Sequence, residues 1–210
     1  MNQAVVRRVT GLCGILTAIA LIVEVPLYFI YDGPPPDWNV LTRILIGILA
    51  FVAFTGLVTG LRELVRRAAP DHEWAASLVS AAGLMYITVT LVSMGLEAGA
   101  VIAADTAIDP TIDVSGTYIL YGTIGRTTLA LFLAALGSLV LRTGILPRWT
   151  GVTAVTLAVV SAAFIPSIYF GNDPANFYAA NGWGSTATVG ALLSYWLLAF
   201  GISVTRSARR

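Results

Sequence analysis

Six long apolar runs occupy most of this 210-residue chain, and they constrain its fold more than any other feature. A helix crosses the roughly 30 Å of bilayer hydrocarbon in about 20 residues and satisfies its own backbone hydrogen bonds. The runs lie at roughly 9–31, 40–61, 75–98, 118–141, 150–170 and 184–205. They predict an all-α fold, a polytopic membrane helix bundle with six transmembrane helices in a single transmembrane domain over residues 1–210.

The composition fits a chain embedded in lipid and excludes several other classes of protein. Only 11% of the residues are charged, whereas a soluble domain carries roughly 25%. A formal net charge of +1 leaves no basic face for a nucleic acid. Cys13 is the only cysteine and His72 the only histidine, so neither a disulfide nor a structural zinc site is expected. The sequence thus predicts the lipid bilayer as a partner, with no nucleic acid, metal or cofactor.

The charged residues between the runs predict the orientation of the chain. Arginines flank one set of run ends and aspartates flank the other. The arginines are Arg7, Arg8, Arg62, Arg66, Arg67, Arg142, Arg148, Arg206, Arg209 and Arg210, and the aspartates are Asp32, Asp37, Asp105, Asp109, Asp113 and Asp173. Because positively charged loops stay in the cytoplasm, we predict that both termini are cytoplasmic and that the protein is a multi-pass protein of a bacterial plasma membrane.

Four ionisable side chains interrupt the apolar runs or lie at their outer edges. They are Glu24, Arg43, Glu97 and Arg126. A charge near the bilayer centre costs about 2.5–3.5 kcal/mol even on the gentlest insertion scales. Such residues mark a functional site by default, so the sequence predicts a buried polar site.

The position of each charge along its run predicts its depth. Glu24 and Arg126 each lie sixteen residues from the arginine at the cytoplasmic end of the same run. A rise of about 1.5 Å per residue places both about 24 Å above those arginines, in the outer half of the bundle. Because opposite charges are buried most cheaply together, we predict that they pair, directly or through a water or ligand. Glu97 and Arg43 are predicted to lie near each other, closer to the outer rim.

Polar residues recur on one side of the helices that carry these charges. On the third run they are spaced by three or four residues, which places them on one helix face. They are Ser80, Gly83, Tyr86, Thr90, Ser93 and Glu97. We predict an outward-opening cavity with Arg126, Arg43, Tyr28, Tyr86, Thr90, Ser93 and Trp196 as ligand-binding residues. Pro26 and Pro166 are expected to kink their helices, whereas the pairs Gly56/Gly60 and Gly95/Gly99 are expected to serve helix packing.

One segment resembles a known family. Leu141 to Trp149 reads LRTGILPRW, which resembles the cytoplasmic turn R-S/T-x-L-V-P-R-W/F in a large family of bacterial six-pass membrane proteins of unknown function. The chain length, the six runs and the short basic N-terminus leading into Gly11 resemble that family too. The resemblance implies a six-pass membrane architecture and supplies no catalytic residues.

Three functions remain open at this level. The first is the binding of a small amphipathic or lipophilic molecule, with Arg126 or Arg43 meeting its anionic part. The second is a membrane-embedded enzyme that uses Glu24 or Glu97 as a catalytic general acid. Small membrane-embedded terpene cyclases are an analogy for such chemistry. Tyr28, Tyr86, Tyr195 and Trp196 would supply aromatic faces that stabilise a cation. The third is a structural or accessory subunit whose charges only set the register of its helices.

Overall fold

The structure of the protein, a computed structural model, describes residues 2–207, and every regular element in this range is helical. The α-helices are α1 (Gln3–Glu24), α2 (Asp37–Ala68), α3 (Glu73–Ala103), α4 (Pro110–Asp113), α5 (Thr117–Ile119), α6 (Gly125–Thr143), α7 (Arg148–Ala163) and α8 (Val189–Arg206). Short 3₁₀ segments adjoin them at Val25–Phe29, Pro70–His72 and Ile165–Phe170, and π segments at Leu120–Ile124 and Gly184–Thr188.

These elements combine into six segments that are long and apolar enough to cross a membrane. The segments are Gln3–Phe29, Asp37–Ala68, Pro70–Ala103, Thr117–Thr143, Arg148–Phe170 and Gly184–Arg206. The predicted all-α bundle of six membrane-spanning helices is therefore confirmed. Arg209 and Arg210, which entered the orientation prediction, lie outside the described residues.

α2 continues past its predicted end because its polar extension is helical too. The helix ends at Ala68 rather than near residue 61. In the added turns Arg66 donates hydrogen bonds to both carboxylate oxygens of Glu63, at 2.8 and 2.9 Å. Pairs three or four residues apart stabilise an exposed helix, so this helix extends beyond its apolar run.

The long helices pack in a ring. α8 packs against α1, α1 against α2, α2 against α3, α3 against α6 and α6 against α7, and a lighter contact between α7 and α8 completes the ring. In that last contact the indole nitrogen of Trp196 donates to the hydroxyl of Thr153 at 3.0 Å. Both ends of the described chain lie at one end of the ring, where Arg7 donates to Ser207 Oγ at 2.9 Å and to the Ile145 carbonyl at 3.2 Å.

We call that end of the bundle the terminal end. The opposite end, which holds residues 30–36, 104–116 and 171–183, is called the cavity end. Large apolar side chains fill the core at the bundle centre. Phe54 and Phe132 are almost fully buried, and their rings meet edge to face with centroids 5.5 Å apart.

Glycines allow the closest approaches between helices. A Cβ on Gly201 of α8 would lie 2.8 Å from the Gly11 carbonyl oxygen of α1, closer than real side chains come to backbone. Gly56 likewise packs against Cys13, where a Cβ would lie 2.7 Å from the sulfur, which confirms its predicted packing role. The corresponding prediction for Gly95 and Gly99 is wrong within this chain, since a Cβ there would meet no described atom within 4 Å.

Four spans lose regular α-helical geometry at the cavity end, and one of them is the sixth, which begins with the π segment Gly184–Thr188. α1 gives way to a 3₁₀ segment at Val25, next to Pro26, and α7 does so shortly before Pro166. Gly122 in the π segment before α6 has non-helical dihedral angles, φ −75° and ψ −109°. Proline lacks the N–H that continues an α-helix, so the structure changes helix type next to Pro26 and Pro166, while the predicted kinks there stay a prediction. The breaks leave the cavity end less regular than the packed terminal end.

Candidate functional site

A cavity of about 320 Å³ lies among α1, α3, α6 and α8 at the cavity end. Seven of the nine residues predicted to form the site line it. They are Glu24, Tyr28, Tyr86, Thr90, Ser93, Glu97 and Arg126. Of the six residues on the predicted face of the third run, Tyr86, Thr90, Ser93 and Glu97 line the cavity, whereas Ser80 and Gly83 do not.

Arg126 enters this cavity from the first turn of α6. Its Nε donates to the Ser185 carbonyl at 2.7 Å, and its Nη2 donates to the Thr186 carbonyl at 3.3 Å. These carbonyls belong to the π segment that leads into α8, so one side chain joins two spans. Nη1 is buried and has no hydrogen-bond partner among the described residues. The guanidinium is thus anchored on one side and unsatisfied on the other.

Glu97 faces the cavity from the last third of α3. Its side chain is 5% exposed, and it takes part in no hydrogen bond or ion pair with any described residue. Asp109, from the segment between α3 and α4, lies close enough to interact electrostatically with it. The cavity therefore has an acidic side formed by Glu97 and Asp109.

Glu24 belongs to a cluster with Tyr28 and Arg43. The Tyr28 hydroxyl donates to Glu24 Oε1 at 3.3 Å, and the Arg43 guanidinium carbon lies 3.9 Å from the centre of the Tyr28 ring. Arg43 also interacts electrostatically with Glu24 and Glu97. The Arg43 side chain is buried, at 3% exposed, but it does not line the cavity. Arg43 therefore acts on the cavity through its neighbours, from behind the wall.

The structure corrects the predicted pairing of charges. Among the described residues, no ion pair within 4.0 Å joins Glu24 to Arg126. Glu97 and Arg43, which were predicted to lie near each other, interact electrostatically without forming an ion pair within 4.0 Å. The direct Glu24–Arg126 pair is wrong because Arg126 turns towards the carbonyls of the π segment. Their meeting through a ligand stays a prediction, since both side chains line the same cavity.

Trp196 lies apart from the other predicted site residues. Its ring stacks on Phe200 with centroids 4.7 Å apart, and its N–H donates a hydrogen bond to the hydroxyl of Thr153. It does not line the cavity. Its position supports contact between α7 and α8, while ligand binding by Trp196 stays a prediction.

The sequence did not assign Asp109, Tyr121, Asn181 and Trp183 to the site, although these four residues line the cavity together with others. None of them belongs to a regular α-helix, so no helical periodicity identified them. Asn181 donates to the Thr111 carbonyl at 3.4 Å and thereby links two connecting segments across the cavity end. Its Oδ1 is buried without a partner. The connections thus contribute to the site as much as the spans do.

Comparison of the chain with family models, curated proteins and solved structures gives no match. The resemblance of the Leu141–Trp149 turn to a six-pass family therefore stays a prediction. Within residues 2–207, no group of three or more histidine, cysteine, aspartate or glutamate side chains is arranged to hold a metal ion. The chemistry of the cavity rests on its carboxylates, its arginine and its aromatic rings.

Proposed function

We propose that this integral membrane protein binds a small amphipathic molecule in the cavity at the cavity end. The observation that supports the proposal is the buried Nη1 of Arg126, which has no partner within residues 2–207 although the rest of the guanidinium is held by two carbonyls. An unsatisfied buried donor costs about 1–3 kcal/mol, and more when it is charged. An anionic oxygen of a ligand would remove that cost by a charge-assisted hydrogen bond.

The remaining walls suit the apolar part of such a molecule. Leu21, Phe29, Phe51 and Leu193 line the cavity together with its charged residues. Ligand pockets span roughly 300–1,000 Å³ and combine apolar walls with a few polar groups. The 320 Å³ cavity is at the small end of this range, so it suits one head group or a short amphiphile.

Native mass spectrometry of the protein purified in a mild detergent tests this proposal. We expect wild type to retain a bound amphiphile, and Arg126→Met to lose it by about tenfold or more, because the anion loses its cationic partner. Arg148→Met is the matched control, since Arg148 is exposed at the terminal end. Absence of an adduct on wild type, or equal adducts on wild type and folded Arg126→Met, would contradict the proposal.

A second variant keeps the test decisive if Arg126→Met fails to fold. Arg126→Lys retains the charge but cannot hold two carbonyls and present a further donor in one plane. We expect this variant to fold and to retain about fivefold less ligand than wild type. Undiminished ligand on Arg126→Lys would contradict the assigned role of the guanidinium.

Acid catalysis on a lipophilic molecule is a second candidate function. It is favoured by the carboxyl group of Glu97, which forms no hydrogen bond or ion pair in the described part of the chain and shares the cavity with Tyr86, Phe51 and Trp183. Aromatic faces stabilise cations of the kind that such an acid generates. This function requires Glu97→Gln or Glu24→Gln to abolish product formation from a polyprenyl substrate while ligand is still bound. Unchanged turnover in both variants would end it.

A further inference from the structure

The spacing between α1 and α8 changes along their length. At the terminal end they nearly touch, as a Cβ on Gly201 would lie 2.8 Å from the Gly11 carbonyl oxygen. Gly190 lies three turns away on α8, at the cavity end, where an added Cβ would meet no described atom within 4 Å. Because Gly190 lines the cavity, the two helices leave a gap there that communicates with it.

The rims of this gap are apolar and belong to two neighbouring spans. Leu21, Val25 and Phe29 lie on the α1 side, and Ala187 and Gly190 lie on the α8 side; all line the cavity. The Phe29 side chain is 64% exposed, and no residue of the Val25–Phe29 segment is buried. A gap between adjacent membrane-spanning helices faces the hydrocarbon of the bilayer. The cavity therefore has an opening towards lipid.

The direction along the helix axes is more obstructed. Asp109, Thr111, Pro174 and Asn181 line the cavity from the connecting segments. The hydrogen bond from Asn181 to the Thr111 carbonyl, 3.4 Å long, ties these segments to each other. Residues of the connecting segments therefore lie between the cavity and the outer surface along the axis.

The cavity has a positively charged side and a negatively charged side. Arg126 presents a free Nη1 donor on the α6 side. Glu97 and Asp109 form the acidic side, and the carboxylate of Glu97 has no protein donor among the described residues. A guanidinium matches a phosphate, and a primary ammonium has three N–H donors to offer to carboxylates. One head group with both charges would satisfy both places.

We infer that the cavity receives a membrane phospholipid with a primary ammonium in its head group, sideways from the bilayer through the gap between α1 and α8. The phosphate binds Arg126, the ammonium binds Glu97 and Asp109, and the acyl chains stay in the apolar gap. This inference rests on the proposed function and specifies the class of ligand and its route.

A photoreactive phosphatidylethanolamine with a diazirine in its acyl chain tests the route. In liposomes containing the full-length protein, we expect cross-links at the gap, on Leu21, Val25 and Ala187. Gly190→Trp should reduce them by about fivefold or more, because a Cβ at this position meets no described atom within 4 Å and the indole beyond it would occupy the opening. Gly95→Trp is the matched control, as Gly95 has equal free space and lies outside the cavity.

Two results would overturn the route. Cross-links confined to residues 104–116 and 171–183 would show access along the axis. Cross-linking at the gap that Gly190→Trp leaves unchanged, with the protein folded, would show lipid that only coats the outer surface. Either result leaves the proposed binding by Arg126 intact, since that proposal depends on retained ligand and not on its path.

Competition among three phospholipids with identical chains tests the head group. We expect phosphatidylethanolamine to displace the photoreactive lipid about tenfold better than phosphatidylcholine or phosphatidylglycerol, because only its ammonium donates N–H groups. Glu97→Gln should abolish this preference without abolishing binding. Equal competition by all three lipids would overturn the inference about the head group. Failure of every lipid to bind wild type would instead overturn the proposed function.

Discussion

The two ends of this bundle use the same helices for different purposes. At the terminal end and the centre, Phe54, Phe132 and Phe200 are at most 1% exposed, and glycines bring neighbouring backbones together. At the cavity end the helices change type and polar side chains surround a 320 Å³ cavity. Burial of large apolar side chains therefore stabilises the bundle, while the cavity end keeps buried polar atoms that have no hydrogen-bond partner among the described residues.

The two buried arginines repeat this difference on a smaller scale. Arg43 lies 3.9 Å over the Tyr28 ring and is held behind the cavity wall. Arg126 is held by two carbonyls and presents its remaining donor in a cavity. Burial does not distinguish the two arginines, since Arg43 is 3% exposed and Arg126 is 5% exposed. What separates a structural charge from a binding charge is the direction in which its unsatisfied atoms face.

Removing an aromatic ring from the core should show the largest difference in stability between the two regions. Phe132→Ala is expected to lower the free energy of unfolding by about 3–5 kcal/mol, because the surrounding side chains lose their contacts with the ring and a void remains in its place. Phe29→Ala, at the exposed rim of the gap, should change it by less than about 1 kcal/mol. Titration with a denaturing detergent measures both values. Similar losses for the two variants would mean that the ends do not differ in packing.

A side chain placed between α1 and α8 should have the next largest effect. Gly201→Val is expected to destabilise the protein by about 1–3 kcal/mol, since its Cβ would press on the Gly11 carbonyl. Gly190→Val on the same helix should stay within about 0.5 kcal/mol of wild type. Thermal unfolding of both proteins in one detergent provides the measurement. If Gly190→Val is the more damaging variant, α1 and α8 do not diverge towards the cavity end.

Loss of the Trp196 indole hydrogen bond should have a moderate effect that is confined to stability. Trp196→Phe keeps the aromatic contact with Phe200 but removes the donor to Thr153, at a cost of about 1 kcal/mol. Ligand retention should equal that of wild type, because Trp196 does not line the cavity. Native mass spectrometry and thermal unfolding of the same preparation give both quantities. Lost ligand at unchanged stability would restore Trp196 to the binding site.

The smallest effect on stability is expected at Glu97. Glu97→Gln removes a carboxylate that bonds to no described residue, so the free energy of unfolding should change by less than about 0.5 kcal/mol. Thermal unfolding of the ligand-free protein is the appropriate measurement. Glu63→Gln is a useful contrast, because Glu63 accepts hydrogen bonds from Arg66 on the surface of α2. Marked destabilisation by Glu97→Gln would favour the structural role among the three sequence-based alternatives.

Periodicity explains why much of the site was predictable. Tyr86, Thr90, Ser93 and Glu97 repeat every three or four residues, so any α-helix must place them on one face. Their shared cavity wall followed from that spacing. Tyr121 and Asn181 lie in a π segment and a connection, where position along the chain does not determine direction. They could not be assigned to the site before the connections were placed.

The sequence by itself determined the class of fold and the presence of charged groups within the apolar runs. Apolar runs of membrane length must become helices, because hydrocarbon satisfies no backbone polar group. Only the tertiary structure decided the partners, because hydrogen bonds depend on the rotation and spacing of the helices. It turned Arg126 from Glu24 towards the carbonyls of Ser185 and Thr186. It also opened the gap between α1 and α8, which neither run of residues reveals alone.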